Sequence, residues 1–108
     1  MSNSKELNFK IQLDGHHLPE KIEWSAESDA VSKACKSVMI ALWDETERST
    51  LRIDLWTKDM SVDEMRVFYH QNVLSLADAY ARATGDHATT SEVKQYLETL
   101  GKKMGILS

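Results

Sequence analysis

The sequence has few of the residues that mark secreted, membrane-spanning or disordered proteins. Cys35 is the single cysteine, so the chain can form neither an internal disulfide nor a cysteine-rich zinc site. The longest apolar run, Val38–Trp43, is far shorter than the about 20 residues of a membrane-spanning helix. Residues 1–10 contain no apolar core for a signal peptide. One proline and four glycines exclude a collagenous or low-complexity chain. We therefore expect a soluble, cytoplasmic protein.

The chain also lacks an excess of positive charge. Its formal net charge is −4 at pH 7, from 13 Lys+Arg and 17 Asp+Glu. Proteins that bind nucleic acid or anionic membranes without further specificity need a basic surface, so neither partner is expected here. A length of 108 residues with 42% hydrophobic residues is enough for one ordinary core. We predict a single domain over residues 1–108.

Apolar and polar residues alternate along residues 7–13 and again along residues 22–26. A period of two is typical of strands with one buried face. Asp14 and Gly15 interrupt the pattern and indicate a turn, so the two runs predict an antiparallel hairpin. Residues 27–36 are mostly polar and receive no assignment.

A second hairpin is predicted from residues 37–43 and 50–56, which flank a polar loop. If Trp43 lies opposite Thr50, aliphatic side chains face each other along one side of the hairpin. A slip of one residue would move every side chain of one strand to the wrong face, so the register is well defined. We expect this aliphatic face to be covered by helices. The predicted cross-strand pairs are Val38–Leu55, Ile40–Ile53 and Leu42–Leu51.

The other face of this hairpin combines two tryptophans with Met39, Ala41 and one residue of each charge. Arg52 and Asp54 are neighbours on that face and predict an ion pair. Large exposed apolar patches mark interfaces, and Trp, Met and Arg are enriched there. We expect a homodimer through this face, another protein partner, or coverage by residues 27–36 or the C-terminal tail. The candidate protein-binding residues are Met39, Trp43, Arg52, Asp54 and Trp56.

The second half of the chain has helical periodicity. Residues 61–64 form a capping box, and apolar residues at spacings of three and four predict a helix to about Ala83, ended by Gly85. A second capping box at residues 89–92 predicts a shorter helix through residues 93–100. Strands followed by helices predict an α+β fold: a four-stranded antiparallel sheet of two hairpins with two C-terminal helices packed on one face. The apolar stripe of the first helix is Val62, Met65, Tyr69, Val73, Leu76 and Tyr80.

The histidines do not have the spacing of a metal centre. His16 and His17 are adjacent, so on an extended chain their side chains point in opposite directions. His70 has no second histidine four residues later on its helix, and His87 stands alone. We expect no metal and no cofactor.

No catalytic motif is present either. The sequence lacks GxSxG, GxxxxGK[ST] and GxGxxG patterns, so an enzymatic activity is not expected. Cys35 is flanked by Lys33 and Lys36. It is either a reactive thiol with a lowered pKa or a small packing residue. Four carboxylates could be considered for acid–base catalysis, but their spacing does not direct two of them to one point. A small hydrolase that uses them is the last-ranked alternative. These carboxylates are Asp54, Asp59, Asp63 and Glu64.

The stretch from Thr50 to Gly85 resembles the gliding-motility protein C family, GldC. The similarity includes the LRIDLWTKDM segment, the VDEM helix start, an aromatic-aromatic-His-Gln element and an AD-aromatic-x-RAT helix end. The hairpin of residues 9–24 adds weaker similarity. These segments are Leu51–Met60, Val62–Met65, Phe68–Gln71 and Ala77–Thr84.

The resemblance implies a small cytoplasmic protein without enzymatic activity or cofactor, linked to surface motility and its secretion machinery. We interpret it as a protein–protein adaptor or accessory factor of that machinery, with protein partners there. Two hairpins followed by a long and a short helix also resemble the export chaperone SecB in topology. Because fold analogy is weak evidence for function, binding of unfolded clients is the alternative.

Overall fold

The computed structural model describes residues 3–26 and 32–107. The chain forms two compact units, Met1–Met60 and Ser61–Ser108. The strands lie in the first unit and the helices in the second, which confirms the α+β class and the two C-terminal helices. The elements are β1 (Leu7–Leu13), β2 (Pro19–Ala26), β3 (Lys33–Cys35), β4 (Ser37–Asp44), β5 (Ser49–Trp56), α1 (Val62–Thr84) and α2 (His87–Lys103).

The first predicted hairpin is confirmed. β1 and β2 pair antiparallel with Phe9 opposite Trp24 and Ile11 opposite Ile22. The turn between them is held by Asp14, whose Oδ1 accepts hydrogen bonds from the backbone N–H groups of His16 (2.7 Å) and Leu18 (3.0 Å). This is the local side chain to backbone bonding that makes aspartate common in turns.

The predicted single four-stranded sheet is wrong. The strands form a three-stranded sheet in the order β1-β2-β3 and a separate two-stranded sheet of β4 and β5. The extra strand β3 lies within the segment that received no sequence assignment; residues 27–31 of that segment lie outside the described residues. A bend at Lys36 separates β3 from β4, so the two short ladders replace one long one.

The register predicted for β4 and β5 is confirmed, with Leu42 opposite Leu51 and Ile40 opposite Ile53. The prediction that this aliphatic face is buried is wrong towards the turn, where Leu42, Leu51 and Ile53 are about half exposed. Besides its partner β4, β5 is contacted by β2 in the described part of this unit. A two-stranded ribbon has few neighbouring elements to cover its faces, and isolated hairpins are marginally stable for the same reason.

The buried centre of the first unit lies instead on β2, the middle strand of the three-stranded sheet. Ile22 is 1% exposed and has Ile11 and Cys35 as its cross-strand neighbours. Thr57, directly after β5, is buried as well, and its backbone N–H donates to the Lys36 carbonyl at 2.8 Å. The cross-strand neighbours on both edges cover part of this side chain, and Ile22 is the most completely buried large apolar side chain among the described residues.

In the second unit, α1 begins and ends as predicted. Ser61 accepts a hydrogen bond from the Glu64 N–H, and the Glu64 carboxylate accepts one from the Ser61 N–H, both at 3.0 Å. Gly85 adopts φ +77° and ends the helix in the left-handed conformation that glycine allows without strain. The second predicted capping box is wrong, because α2 begins three residues earlier with Asp86 as its N-cap. The Asp86 side chain accepts from the Thr89 N–H at 3.1 Å.

The contact between α1 and α2 combines small residues with one leucine. Ala77 and Ala81 of α1 are buried, as are Leu97 and Gly101 of α2. His70 Nε2 donates to the Leu97 carbonyl oxygen at 2.7 Å, which crosses from one helix to the other. The stripe predicted as the core of α1 is partly exposed. The buried positions are instead the alanines that directly follow Leu76 and Tyr80 in the sequence, Ala77 and Ala81. The exposed members of that stripe are Val62, Tyr69, Leu76 and Tyr80.

Candidate protein-binding face

The register of β4 and β5 brings the five candidate residues to one face of the ribbon. Met39 lies directly opposite Asp54, Trp43 opposite Thr50 and Trp56 opposite Ser37. Because side chains alternate along a strand, the odd-numbered positions of β4 share a face with the even-numbered positions of β5. We call this surface the tryptophan face; it comprises Met39, Ala41, Trp43, Arg52, Asp54 and Trp56.

The tryptophan face is open to solvent. Trp43 is 66% exposed and Trp56 is 52% exposed, values that are high for the largest apolar side chain. Met39 is half-buried between them, and Arg52 and Asp54 are exposed. Tryptophan, methionine and arginine together are the composition of an interface centre rather than of an ordinary solvated surface.

Arg52 and Asp54 form the predicted ion pair. The guanidinium donates through Nη2 to Asp54 Oδ1 at 2.8 Å and through Nε to Oδ2 at 3.1 Å, a bidentate geometry. The carboxylate in turn raises the pKa of the Arg52 guanidinium above its ordinary value. Both side chains are well exposed, so solvent screens the pair and its contribution to stability is small. Its larger effect is to fix two opposite charges on the outer strand of the ribbon.

The candidate acidic residues each have a structural partner. Asp59 accepts from the Thr57 hydroxyl, and Asp63 pairs with Arg66 one helical turn later at 3.2 Å. Glu64 closes the capping box of α1. These contacts occupy the carboxylates in local structure, and the same kinds of contact occur in ordinary turns and helix starts.

The histidines are likewise placed in local structure. His17 lies in the β1–β2 turn at φ 61°, a conformation more common in turns than in strands, and His70 bonds to the Leu97 carbonyl. Across the described ranges, no group of three or more His, Cys, Asp or Glu residues is arranged to hold a metal ion. Within those same ranges, no helix has the length and apolarity needed to cross a membrane.

Cys35 has the environment of a packing residue. It is half-buried on β3, and burial raises the pKa of its thiol, the opposite of what a reactive thiolate requires. Lys33 does not serve the cysteine but lies over the Trp24 ring, 5.5 Å from its centroid. A cation above an aromatic face is a common surface contact.

Two of the grooves in the described part of the chain have no counterpart among the sequence predictions. One, of about 230 Å³, lies where Leu18 and Pro19 approach the end of β5 at Trp56. Beside it, Asp14 pairs with Lys58, residues whose separation in sequence gives no signal of contact. The other groove, of about 380 Å³ and almost wholly apolar, lies between α1 and α2. Its signal in the sequence is the apolar stripe of α1, whose spacing predicts a core rather than a groove. The helical groove is lined by Val73, Leu76, Ala77, Tyr80, Thr89, Thr90 and Val93.

The model of one protein family, described as gliding motility-associated protein GldC-like, matches residues 19–106. This chain belongs to the GldC-like family. Family membership associates the chain with gliding motility, as the resemblance of residues 50–85 implied. The matched region includes β2 to α2 and therefore the whole tryptophan face. No curated protein and no solved structure is significantly similar to this GldC-like chain.

Proposed function

We propose that this GldC-like protein is a non-enzymatic adaptor or accessory factor of the gliding-motility and secretion machinery, and that it binds a folded partner through the tryptophan face. Family membership supports the process. The exposure of Trp43 and Trp56 on one face of a ribbon supports the mode of action. A contiguous apolar patch is costly to leave in water, and on a monomeric domain it usually marks an interaction site.

The chemistry of the face suits a specific folded partner. The two tryptophans offer large rigid surfaces at a low cost in conformational entropy, and such residues dominate binding energy at interfaces. Arg52 and Asp54 place one charge of each sign at defined positions beside the tryptophans, so a partner whose polar groups complement both charges is favoured in one orientation. We expect the partner to present an apolar pocket with a polar rim.

The direct test is affinity capture from a gliding bacterium that makes the protein, followed by mass spectrometry. The tagged native chain is compared with Trp43→Glu and with Tyr96→Glu, a control at another aromatic side chain that is 73% exposed but lies on α2. We expect a motility or envelope-assembly component with the native chain and with Tyr96→Glu, and its loss with Trp43→Glu. Failure to enrich any such component, or enrichment unchanged by Trp43→Glu, would contradict the proposal.

A second candidate, a SecB-like chaperone, is favoured by the apolar side chains that are exposed on both faces of the ribbon, such as Leu42, Leu51 and Trp43. A chaperone should suppress aggregation of many denatured proteins, whereas an adaptor should ignore them. Light scattering of a chemically denatured client, diluted with and without the native chain, separates the two. We expect no suppression at equimolar chain.

A further inference from the structure

The outer edge of β5 is open for pairing. In the described part of the chain, β5 pairs with β4 alone. The Thr57 N–H donates to the Lys36 carbonyl, one position beyond the Ser37–Trp56 pair, so the residues opposite each other at 36 and 57 are hydrogen-bonded. Bonded pairs alternate along an antiparallel ladder. The residues of β5 whose backbone groups point away from β4 are therefore Thr50, Arg52, Asp54 and Trp56.

The charges along this edge are complementary to those of a second copy when the two-fold axis passes through Ile53. When two copies of β5 run antiparallel with their two-fold axis at Ile53, Arg52 lies opposite the partner's Asp54, and by symmetry the reverse pair forms too. Leu51 then lies opposite the partner's Leu55, so the aliphatic face continues across the junction. Centring on Arg52 places two arginines opposite each other, and centring on Asp54 places two aspartates there. Like charges directly opposite destabilise a ladder.

We propose that a second copy of this chain occupies the β5 edge, antiparallel and centred on Ile53, to form a four-stranded sheet in the order β4-β5-β5-β4. Charged side chains on an edge strand generally prevent pairing. Here the order of one positive and one negative charge disfavours the registers centred on Arg52 and on Asp54, and favours the register centred on Ile53, in which opposite charges pair. The edge of β4 has no charge between Ser37 and Trp43 to fix a register, which is why β5 is the edge we choose.

The edge dimer goes beyond the proposed function and leaves both tryptophans of the tryptophan face uncovered, while Arg52 and Asp54 of that face pair across the junction. Trp43 lies on β4, away from the junction, so the tryptophan faces of the two copies become one larger surface on the same side of the sheet. Pairing through the edge also differs from self-association through the tryptophan face. Trp43→Glu should therefore remain a dimer. Its conversion to a monomer, with the far-ultraviolet circular dichroism unchanged, would overturn the edge assignment in favour of the face.

A symmetric disulfide tests the register. At the centre of the junction, Ile53 lies opposite its own copy in a non-hydrogen-bonded pair, where Cα atoms are about 4.5 Å apart, within the range of a disulfide. In a Cys35→Ser background, Ile53→Cys should form a cross-linked dimer under mild oxidation. Leu51→Cys is the matched control, because it has similar exposure on the same face but its copies are about 13 Å apart. Equal cross-linking of the two variants, or none in Ile53→Cys, would overturn the proposal.

Charge exchange tests the pairing independently of cysteine chemistry. Arg52→Asp and Asp54→Arg each place like charges opposite each other, so each variant alone should sediment as a monomer at low salt while the native chain sediments as a dimer. An equimolar mixture of the two variants should form a 1:1 dimer. One chain then has two negative side chains at positions 52 and 54, and the other chain has two positive side chains there. Both variants lack the internal Arg52–Asp54 pair, so mixing restores contacts between chains alone. A monomeric native chain at every concentration, or a mixture that stays monomeric, would refute the dimer without touching the adaptor proposal.

Discussion

Two isoleucines on different sheets offer a test of where the first unit is held together. Ile22 on β2 is 1% exposed, and Ile53 on β5 is 48% exposed. Truncation of a fully buried isoleucine to alanine removes its transfer free energy and leaves a cavity, which together cost about 2–5 kcal/mol. At Ile53 roughly half of the transfer contribution applies and no enclosed cavity remains, so we expect a cost of about 1 kcal/mol.

The two variants serve as controls for each other. Both substitutions are Ile→Ala within a strand, so the loss of strand propensity is similar in the two variants and cancels in their difference. All three tryptophans lie in residues 1–60, so tryptophan fluorescence during urea unfolding reports on the unit that contains both isoleucines. The chain concentration should be low enough for the native protein to sediment as a monomer, because a second copy would cover part of Ile53.

The expected result is that Ile22→Ala lowers the free energy of unfolding by at least about 1 kcal/mol more than Ile53→Ala does, with unchanged m-values. Equal losses in the two variants would refute the reasoning. They would mean that the aliphatic face of the ribbon is buried as deeply as the middle of the three-stranded sheet. The sequence predicts a face at Ile53 that is covered by helices and hence fully buried, so this measurement also distinguishes burial as predicted from the sequence from burial in the structure.

Two further predictions concern single side chains. Gly101→Ala should lower the free energy of unfolding by about 1 kcal/mol, although alanine favours helix by a similar amount, because a Cβ there would lie 2.7 Å from Leu107 Cγ and 3.0 Å from His70 Nε2. Hydrogen bonds from Lys58 and from backbone N–H groups lower the pKa of Asp14 from 3.8 to about 2. The Asp14 carboxylate therefore stabilises the folded chain above about pH 4, and this contribution is lost as the pH falls towards 2.

Each of these has a matched control. In a Leu107→Ala background the crowding at position 101 is relieved, so Gly101→Ala should become neutral or stabilising in thermal unfolding; an unchanged cost would contradict the packing explanation. Asp14→Asn should lower the melting temperature at pH 7 and by much less at pH 2, where the carboxylate is about half protonated; Glu45→Gln in the exposed β4–β5 turn should change the melting temperature at neither pH. A difference for Asp14→Asn that persists unchanged at pH 2 would show that charge is not its cause.

Local signals in the sequence were enough to determine most individual elements. The alternation along β1, β2, β4 and β5 determined these strands, and the pairing of aliphatic residues determined the register of β4 and β5, because a slip would move a whole set of side chains. Ser61, Glu64 and Gly85 determined where α1 begins and ends through hydrogen bonds within a few residues. The Arg52–Asp54 pair followed from the two-residue repeat of a strand alone.

Tertiary structure decided how these elements combine and which residues are buried. The bend at Lys36 divides one expected sheet into two, and the Lys36 carbonyl accepts from the Thr57 N–H, a residue far away in sequence. Periodicity identifies the apolar side of a helix but not the line along which another helix approaches, so Ala77 and Ala81 replaced the larger residues as the contact. Exposure is likewise a property of neighbours. Only the structure distinguished Ile22, flanked by two strands, from Ile53 on a ribbon edge.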